Sequence, residues 1–344
     1  MTDLLAGNAS KVPLISILTP SWNRGRYLER VWIGLNSQTY RNFEWIVCDD
    51  GSIDDTQARL REFGAKSSFP IEVISASVRI GKARMDNEAV CLARGVFILW
   101  NDSDDYLVPT ALERLISTWD TIPVDQQSQF VGLTALCADE SGTHLTASPK
   151  MEPFDTSWND LSEKHKITGD MLFFARAEAL KSHPFPEVDL IIPESVVWTA
   201  LGNQKVRFFP DALLIKEYRA ENAISFTGKM EYNRGRAYSL AQSQYYLRSY
   251  RQKTSARIWR LVTFLRYCLH GDIDIFKAWS LWQRNSSLTL FILLLPFAVL
   301  LAVKDRLQKK VVKTHVQFER AKCVVKIESN HFEPRFQYRG SLND

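Results

Sequence analysis

The sequence predicts an α/β domain in which a largely parallel sheet carries helices on both faces. Between residues 14 and 100, short apolar runs rich in β-branched residues alternate with segments of helical spacing. Polar, loop-like stretches follow three of these runs, and ligands of such sheets bind at the carboxyl ends of strands. Apolar residues make up 45% and charged residues 24% of the chain, which is typical of a folded protein.

The predicted elements alternate strictly along the first part of the chain. Leu14–Leu18 is a strand that ends at a loop, and Tyr27–Gln38 then carries its apolar residues on one side of a helix. The next strands are 43–48, 71–74 and 96–100, and the helices between them are 56–63 and 82–93. Further along, the pattern predicts a strand at 130–136 and a helix at 175–182.

Composition limits the kind of protein. Five scattered cysteines without a C-x-x-C pair predict neither a disulfide scaffold nor a zinc site, and they favour a reducing compartment. Met1–Lys11 lacks the basic and apolar segments of a secretory signal, so none is predicted. No G-x-G-x-x-G opens the first helix and no P-loop sequence occurs, which argues against dinucleotide redox chemistry and P-loop phosphoryl transfer.

Charge divides the chain into two parts. Residues 226–344 carry 21 Lys and Arg against 8 Asp and Glu, whereas residues 1–225 carry 22 against 31. Basic segments bind nucleic acid or anionic membranes, and the neighbouring residues decide between them. We therefore predict one domain over 1–225 and a separate basic region over 226–344.

A cluster of carboxylates follows the apolar run 96–100. Three aspartates, Asp102, Asp104 and Asp105, lie within four residues. Carboxylates this close repel each other unless a cation is present, and a hard divalent metal is the natural partner. Asp102 and Asp104 have the Asp-x-Asp spacing of a metal and nucleotide-sugar clamp. A solvated turn, or a helix N-cap before Thr110, is the alternative.

Four motifs in order carry a resemblance to a known family. They are Pro20–Arg24, Asp49–Thr56, Gly81–Arg84 and Asp102–Asp105. Together they resemble family 2 glycosyltransferases of the GT-A fold, clearly over residues 12–125 and more weakly to about 225. The resemblance implies a Rossmann-like mixed sheet that binds a nucleotide sugar, and transfer with inversion at the anomeric carbon. It also implies that the closing strands of this sheet are 206–210 and 213–219.

The resemblance also implies a role for each motif. The first loop lines the nucleotide pocket, and the second binds the base or ribose through one of its two aspartates. Basic side chains near the third motif, and one at the end of the domain, offset the diphosphate charge. Asp102 and Asp104 hold Mg²⁺ or Mn²⁺, which stabilises the leaving nucleoside diphosphate, while Asp105 caps or orients its loop. The other residues in these roles are Thr19, Pro20, Asn23, Arg24, Asp49, Asp50, Arg79, Lys82, Arg84 and Arg219. Asp49–Ser52 also fits a plain turn, and Arg84 a solvated helix position.

Glu194 is the candidate general base. It follows Pro193, which is well placed at a helix start, and the resemblance implies a carboxylate here that deprotonates the acceptor hydroxyl. Ser195 replaces the second member of the commoner Glu-Asp pair of the family, so Glu194 stands alone. Glu187 and Asp189 are the substitutes, and a role in complementing the helix dipole is the alternative.

The basic region indicates a membrane surface. Residues 229–284 interleave Arg and Lys with Trp, Tyr and Phe, and an apolar segment at 286–303 is flanked by Lys304 and Arg306. This combination is typical of a membrane interface and not of nucleic-acid binding. A shallow, kinked, monotopic insertion is preferred, a single span comes second and a buried core helix third. The C-terminal tail, 311–344, has strand-like alternation near 315–318 and 323–327.

These observations together predict a glycosyltransferase at the cytoplasmic face of a membrane. It would move a sugar from a nucleotide-sugar donor to a hydroxyl of a glycan or lipid-linked acceptor in surface-polysaccharide assembly. One rival is a polyprenyl-phosphate sugar transferase, whose phosphate acceptor needs no general base. The other is a membrane scaffold built on a catalytically dead domain of the same fold.

Overall fold

An eleven-stranded mixed sheet is the framework of the protein. The computed structural model describes residues 13–149, 151–217, 232–249, 252–308, 310–311, 325–329 and 335–337.

The first half of the sheet has the alternation that the sequence predicts. Its elements are β1 Ile15–Ser21, α1 Gly25–Asn36, β2 Phe43–Asp49, α2 Thr56–Lys66, β3 Ile71–Ala76, α3 Lys82–Leu92 and β4 Phe97–Trp100. β1 pairs in parallel with β2 and β4, and β2 pairs in parallel with β3. Every residue of β2 and β4 is buried, as expected of strands covered on both faces. The predicted α/β class is confirmed.

The second half is less regular. Its elements are β5 Tyr106–Leu107, α4 Ala111–Asp120, β6 Phe130–Ala138, β7 Thr146–Ala147, β8 Phe154–Ser157, α5 Trp158–Glu163, β9 Thr168–Gly169, β10 Met171–Arg176, α6 Ala177–Lys181, α7 Ser195–Leu201 and β11 Lys205–Ile215. The two predicted closing strands form the single strand β11, whose pairing with β6 shifts register between Phe208 and Ala212. Such irregularities accommodate a proline, here Pro210, inside a strand. The helix predicted from Ala175 begins two residues later, since Ala175 and Arg176 still pair with β4.

Strand directions determine which loops meet. The order across the central sheet is β3-β2-β1-β4-β10-β6-β11-β5. β10 is antiparallel to both β4 and β6, and β6 is parallel to β11. β1, β2, β4, β6 and β11 therefore end at the same edge of the sheet. The acidic residues after β4 consequently lie near Lys216 and Glu217, which follow β11.

Four further helices form what we call the helical unit, residues 233–307. They are α8 Asn233–Tyr246, α9 Thr254–His270, α10 Ile275–Trp282 and α11 Leu288–Leu307. Their shared core includes Phe264, Trp282 and Phe291. α8 packs against α7, and α9 packs against both α8 and α11. The predicted domain boundary at residue 225 falls in 218–231, outside the described residues.

Part of the C-terminal tail joins the sheet. β12 Val325–Ser329 pairs antiparallel with β3, and β13 Arg335–Gln337 pairs with β12. The strand-like alternation at 323–327 thus corresponds to a strand from Val325 onwards, whereas 315–318 lies outside the described residues. The tail strands cover the edge that β3 would otherwise present to solvent.

Candidate active site

Hydrogen bonds join the loops that follow β1 and β2. The backbone N–H of Asn23 donates to Ser52 Oγ (2.7 Å), and Asn23 Oδ1 accepts from the backbone N–H of Ile53 (2.9 Å). Asn23 has a φ of 53°, in the left-handed region that Asn tolerates better than most residues. These contacts bring two of the predicted nucleotide-binding loops together.

Thr19 and Pro20 lie within β1, which runs through Ser21. Thr19 is fully buried, and its Oγ1 accepts a hydrogen bond from Trp45 Nε1 (2.9 Å). Pro20 is paired in register with Cys48 of β2. Thr19 thus takes part in the packing between the two strands, and Asn23 and Arg24 supply the polar groups of the loop.

Asp49 and Asp50 organise the backbone around them. Asp49 Oδ1 accepts from the backbone N–H of Ser52 (3.1 Å). Asp50 is buried and accepts from the backbone N–H groups of Ile80 (2.6 Å) and Gly81 (3.0 Å). Burial raises the pKa of Asp50 to about 6, although these hydrogen bonds oppose the shift. Asp50 therefore fixes the loop that leads into α3, and Asp49 caps the turn that begins at its own position.

The three carboxylates after β4 have different partners. Asp104 Oδ2 lies 3.5 Å from Arg24 Nη1, and Asp102 Oδ2 lies 3.6 Å from Lys216 Nζ. Asp105 is 2% exposed, lies 2.9 Å from Lys216 Nζ and accepts from the backbone N–H of Glu217 (3.1 Å). Asp105 thus ties its loop to the end of β11, while Asp102 and Asp104 keep more of their side chains exposed.

Electrostatics at this loop suit a cation. Burial and then the Asp102 charge raise the pKa of Asp104. Burial also opposes ionisation of Asp102, but Lys216 and Lys82 outweigh it and lower its pKa. The side chain of Asp102 is 40% exposed and that of Asp104 is 16% exposed. Two adjacent hard oxygen donors that repel each other fit Mg²⁺ or Mn²⁺, whose remaining ligands would come from a diphosphate and water.

Two carboxylates alone would bind such an ion weakly. Among the described residues, no group of three or more His, Cys, Asp or Glu side chains is arranged to hold a metal ion. Asp102 and Asp104 therefore suit an ion that is also bound by a donor diphosphate, and not an ion held by protein ligands only.

Lys82 connects the nucleotide side of the site to Glu194. Its Nζ lies 2.8 Å from Glu194 Oε1 and 2.8 Å from Asp86 Oδ2. Burial disfavours the charge of Lys82, but Asp86, Glu194 and Asp102 outweigh burial and raise its pKa, so it stays protonated. Glu194 is the residue that precedes α7, and its side chain is 39% exposed. A charged lysine thus links the candidate base to Asp86 of α3, the helix that follows the loop after β3.

Arg84 and the two substitute carboxylates lie in buried contacts. Arg84 Nη2 lies 2.7 Å from Glu88 Oε1, and its Nη1 lies 3.2 Å from Glu187 Oε2. Asp189 Oδ2 accepts from the backbone N–H of Gly235 in α8 (3.0 Å). Glu187 and Asp189 are both buried, whereas Glu194 is partly exposed. Of these three carboxylates, Glu194 has the most exposed side chain.

Gly81 allows the segment that carries Glu194 to approach α3. It has a φ of 105°, and an added Cβ would lie 2.7 Å from Leu190 Cα. Gly81→Ala is therefore expected to reduce the free energy of unfolding by roughly 1–3 kcal/mol more than Gly142→Ala. Gly142 is a matched control because it also has a positive φ, 81°, but nothing lies within 4 Å of its added Cβ. Urea unfolding measures both variants, and equal losses would show that the approach to Leu190 is not restrictive.

Other side chains complete the arrangement. The guanidinium of Arg79 lies 3.7 Å from the ring centroid of Trp22 and its Nε lies 3.8 Å from Asp50 Oδ2. Arg219 lies outside the described residues. The sequence reasoning missed Lys216 and Asp86. The Lys82–Asp86 spacing of four residues on one helix was the available signal for Asp86, whereas Lys216 meets Asp102 only through the pairing of β11 with the sheet.

Comparisons with known proteins bear on the family and the fold of the sheet domain. Residues 16–175 match the model of "Glycosyl transferase family 2". Over 103 residues the chain is 40% identical to a chondroitin synthase of Escherichia coli. This alignment covers 30% of this chain and 15% of the synthase. Over 104 residues it is 36% identical to the Escherichia coli UDP-Glc:alpha-D-GlcNAc-diphosphoundecaprenol beta-1,3-glucosyltransferase WfgD, covering 30% of this chain and 40% of that protein. These matches thus span well under half the length of either relative.

A solved structure extends the comparison to the whole fold. S. aureus TarS 1-349, crystallised in complex with UDP-GlcNAc, superposes with a TM-score of 0.56 and covers 90% of this chain and 96% of its own. At 15% sequence identity this likeness concerns the fold alone. The family match over residues 16–175 takes in all four polar motifs, from the loop after β1 to the carboxylates after β4, so this part of the chain belongs to glycosyl transferase family 2, and the sheet around it has the GT-A fold.

Proposed function

We propose that the protein is an inverting, metal-dependent glycosyltransferase that moves a sugar from a nucleotide donor to an acceptor hydroxyl. The contact between Lys82 and Glu194, 2.8 Å long, carries the proposal. It puts the candidate base beside Lys82, whose positive charge is stabilised in part by the negative charge of Asp102. A donor diphosphate and an acceptor hydroxyl would therefore meet within one site.

In the proposed reaction the acceptor oxygen bonds to the anomeric carbon as the bond from that carbon to the diphosphate oxygen breaks. The hydroxyl proton passes to a carboxylate oxygen of Glu194. Attack from the face opposite the leaving group inverts the anomeric configuration. Lys82 and Arg79 offset the charge of the leaving nucleoside diphosphate. When bound by Asp102 and Asp104, Mg²⁺ or Mn²⁺ would supply Lewis-acid stabilisation of the same group.

The acceptor in this proposal is a lipid-linked glycan, and the site faces the cytoplasm at a membrane. The name of the relative WfgD specifies a diphosphoundecaprenol acceptor, which supports this substrate class. α11 is long and apolar enough to cross a membrane, which supports membrane association. Surface-polysaccharide assembly is the process that such an acceptor would serve.

A donor panel tests the activity. We expect release of nucleoside diphosphate from one nucleotide sugar, with uridine nucleotides tried first because WfgD is named for UDP-Glc and TarS was crystallised with UDP-GlcNAc. Release is expected to stop when EDTA removes the metal and to return with excess Mn²⁺, because the ion stabilises the leaving group. Silence across the panel with Mn²⁺, Mg²⁺ and a membrane lipid extract would favour the non-enzymatic scaffold.

A further inference from the structure

The helical unit has an exposed apolar face that belongs to α11. Four side chains of this helix are buried, Phe291, Ala298, Ala302 and Asp305, and their spacing makes one stripe. The opposite side is exposed and apolar: Leu288 is 49% exposed, Ile292 58%, Leu293 69%, Phe297 51%, Leu300 68% and Val303 48%. A continuous apolar face of this kind on a folded protein marks a surface that binds a partner or a membrane.

We propose that α11 lies in the plane of an anionic bilayer interface, with this face inserted, and does not span the membrane. The inference deepens the membrane association in the proposed function and rests on it. It names the bilayer surface as the partner and the α11 face as the surface that meets it.

The packing of α11 argues against a span. α9 lies alongside it from end to end: Arg257 Nη2 lies 3.5 Å from the carbonyl oxygen of Asn285, before α11, and Arg306 Nη2 lies 3.0 Å from that of Leu269. α9 packs in turn on α8, and α8 on α7 of the sheet domain. A helix held along its whole length against a folded body cannot cross a bilayer unless that body enters too.

Charged groups make such entry costly. Arg260, near the middle of α9, bonds Gln244 of α8 (3.2 Å) and Gln252 (3.3 Å). At the other end, the buried Asp305 pairs with Arg266, and His270 Nε2 lies 3.0 Å from Asp305 Oδ2. The Asp305 contacts fix α11 to α9, and ionisable side chains within a bilayer are strongly unfavourable. Keeping the contacts therefore requires that α9 stay out of the hydrocarbon.

Charge complementarity identifies the partner as an anionic lipid surface. Residues 275–311 contain six Lys and Arg against a single acidic residue, Asp305, which is buried and paired. Lys277 and Arg284 are exposed before α11, and Lys304 and Arg306 are exposed at its C-terminal end. Phe276, 83% exposed on α10, the helix that precedes α11 in the chain, adds an exposed aromatic side chain to this basic segment. Apolar insertion with a basic surround is the pattern of interfacial helices that bind anionic lipids.

Vesicle binding tests the face. The full chain is expected to float with vesicles of phosphatidylcholine and phosphatidylglycerol, and less with phosphatidylcholine alone. An Ile292→Glu, Leu300→Glu double variant should bind on the order of 100-fold more weakly, because it puts two charges on the inserted face. Val124→Glu is the matched control, since Val124 is 85% exposed on the sheet domain. Equal binding of both variants would overturn the proposal, and vesicle-independent dimerisation lost in the double variant would assign the face to a second copy.

Cysteine labelling separates insertion from a span. Ser287 and Gln308 flank α11 and are exposed, so Ser287→Cys and Gln308→Cys are made in a background with Cys91 and Cys323 replaced by serine. With a membrane-impermeant maleimide, we expect neither position to react in intact bacterial spheroplasts and both to react after lysis. Labelling of one position alone in intact spheroplasts would establish a span. Neither assay depends on sugar transfer, so failure of the proposed reaction would be recognised separately.

Discussion

A Glu194→Gln variant is expected to transfer sugar about 10²–10⁴-fold more slowly than the wild type, with unchanged affinity for the nucleoside diphosphate. The amide oxygen of Gln can still accept from Lys82, whose Nζ lies 2.8 Å from Glu194 Oε1. The variant therefore keeps the local contact and removes only the ability to take a proton from the acceptor. Single-turnover transfer to the acceptor and calorimetric titration of the nucleoside diphosphate measure the two quantities.

Glu187→Gln is the matched control for this experiment. Glu187 is buried, lies 3.2 Å from Arg84 and accepts from Asn87 (2.9 Å). Its substitution should therefore lower the unfolding midpoint more than Glu194→Gln does, and slow transfer by the folded protein less. A large loss of transfer in Glu187→Gln without loss of stability would identify Glu187 as the base. Retained activity of Glu194→Gln on a phosphate acceptor would instead favour the polyprenyl-phosphate sugar transferase, because an ionised phosphate needs no base.

Local sequence signals were sufficient to predict the first half of the fold. β2 and β4 are short apolar runs buried on both faces, and each is followed by a polar loop. Composition alone predicts strands of this type, and the spacing of apolar residues predicts the helices between them. The same signals placed Asn23, Asp49 and Asp102 at strand ends, so their meeting at one edge follows from parallel pairing.

Contacts between residues far apart in the chain could not be predicted from local sequence patterns. The family resemblance implies that Arg84 offsets diphosphate charge, yet in the structure this residue pairs with Glu187, about 100 residues away. Lys216 reaches Asp102 because β10 reverses direction between β4 and β6 and returns β11 to the same sense. The coverage of α11 by α9 is a third case, since an apolar run has the same composition whether one side or both sides are exposed.

Among the carboxylates after β4, Asp102→Asn and Asp104→Asn are each expected to weaken Mn²⁺ binding in the presence of nucleoside diphosphate at least tenfold. Each variant removes one of two anionic oxygen donors, and the loss of leaving-group stabilisation should lower the transfer rate by about 10²-fold or more. Manganese binding is measured by electron paramagnetic resonance, so this expectation has a readout that does not depend on turnover. Excess Mn²⁺ should partly restore the rate if the defect lies in metal affinity.

Asp105→Asn should be tolerated better than either of these variants. Asp105 is buried and directed at Lys216 (2.9 Å) and the backbone N–H of Glu217 (3.1 Å), and the amide oxygen of Asn can still accept from that N–H. Burial raises the pKa of Asp105 to about 7, so losing the charge is less costly there than at Asp102, whose pKa is lowered by Lys216 and Lys82 despite burial. Its expected effects are a modest loss of stability and manganese affinity within a few-fold of the wild type. If Asp105→Asn weakened Mn²⁺ binding as much as Asp104→Asn does, the third carboxylate would be a metal ligand, and the division of roles inferred from its burial would be wrong.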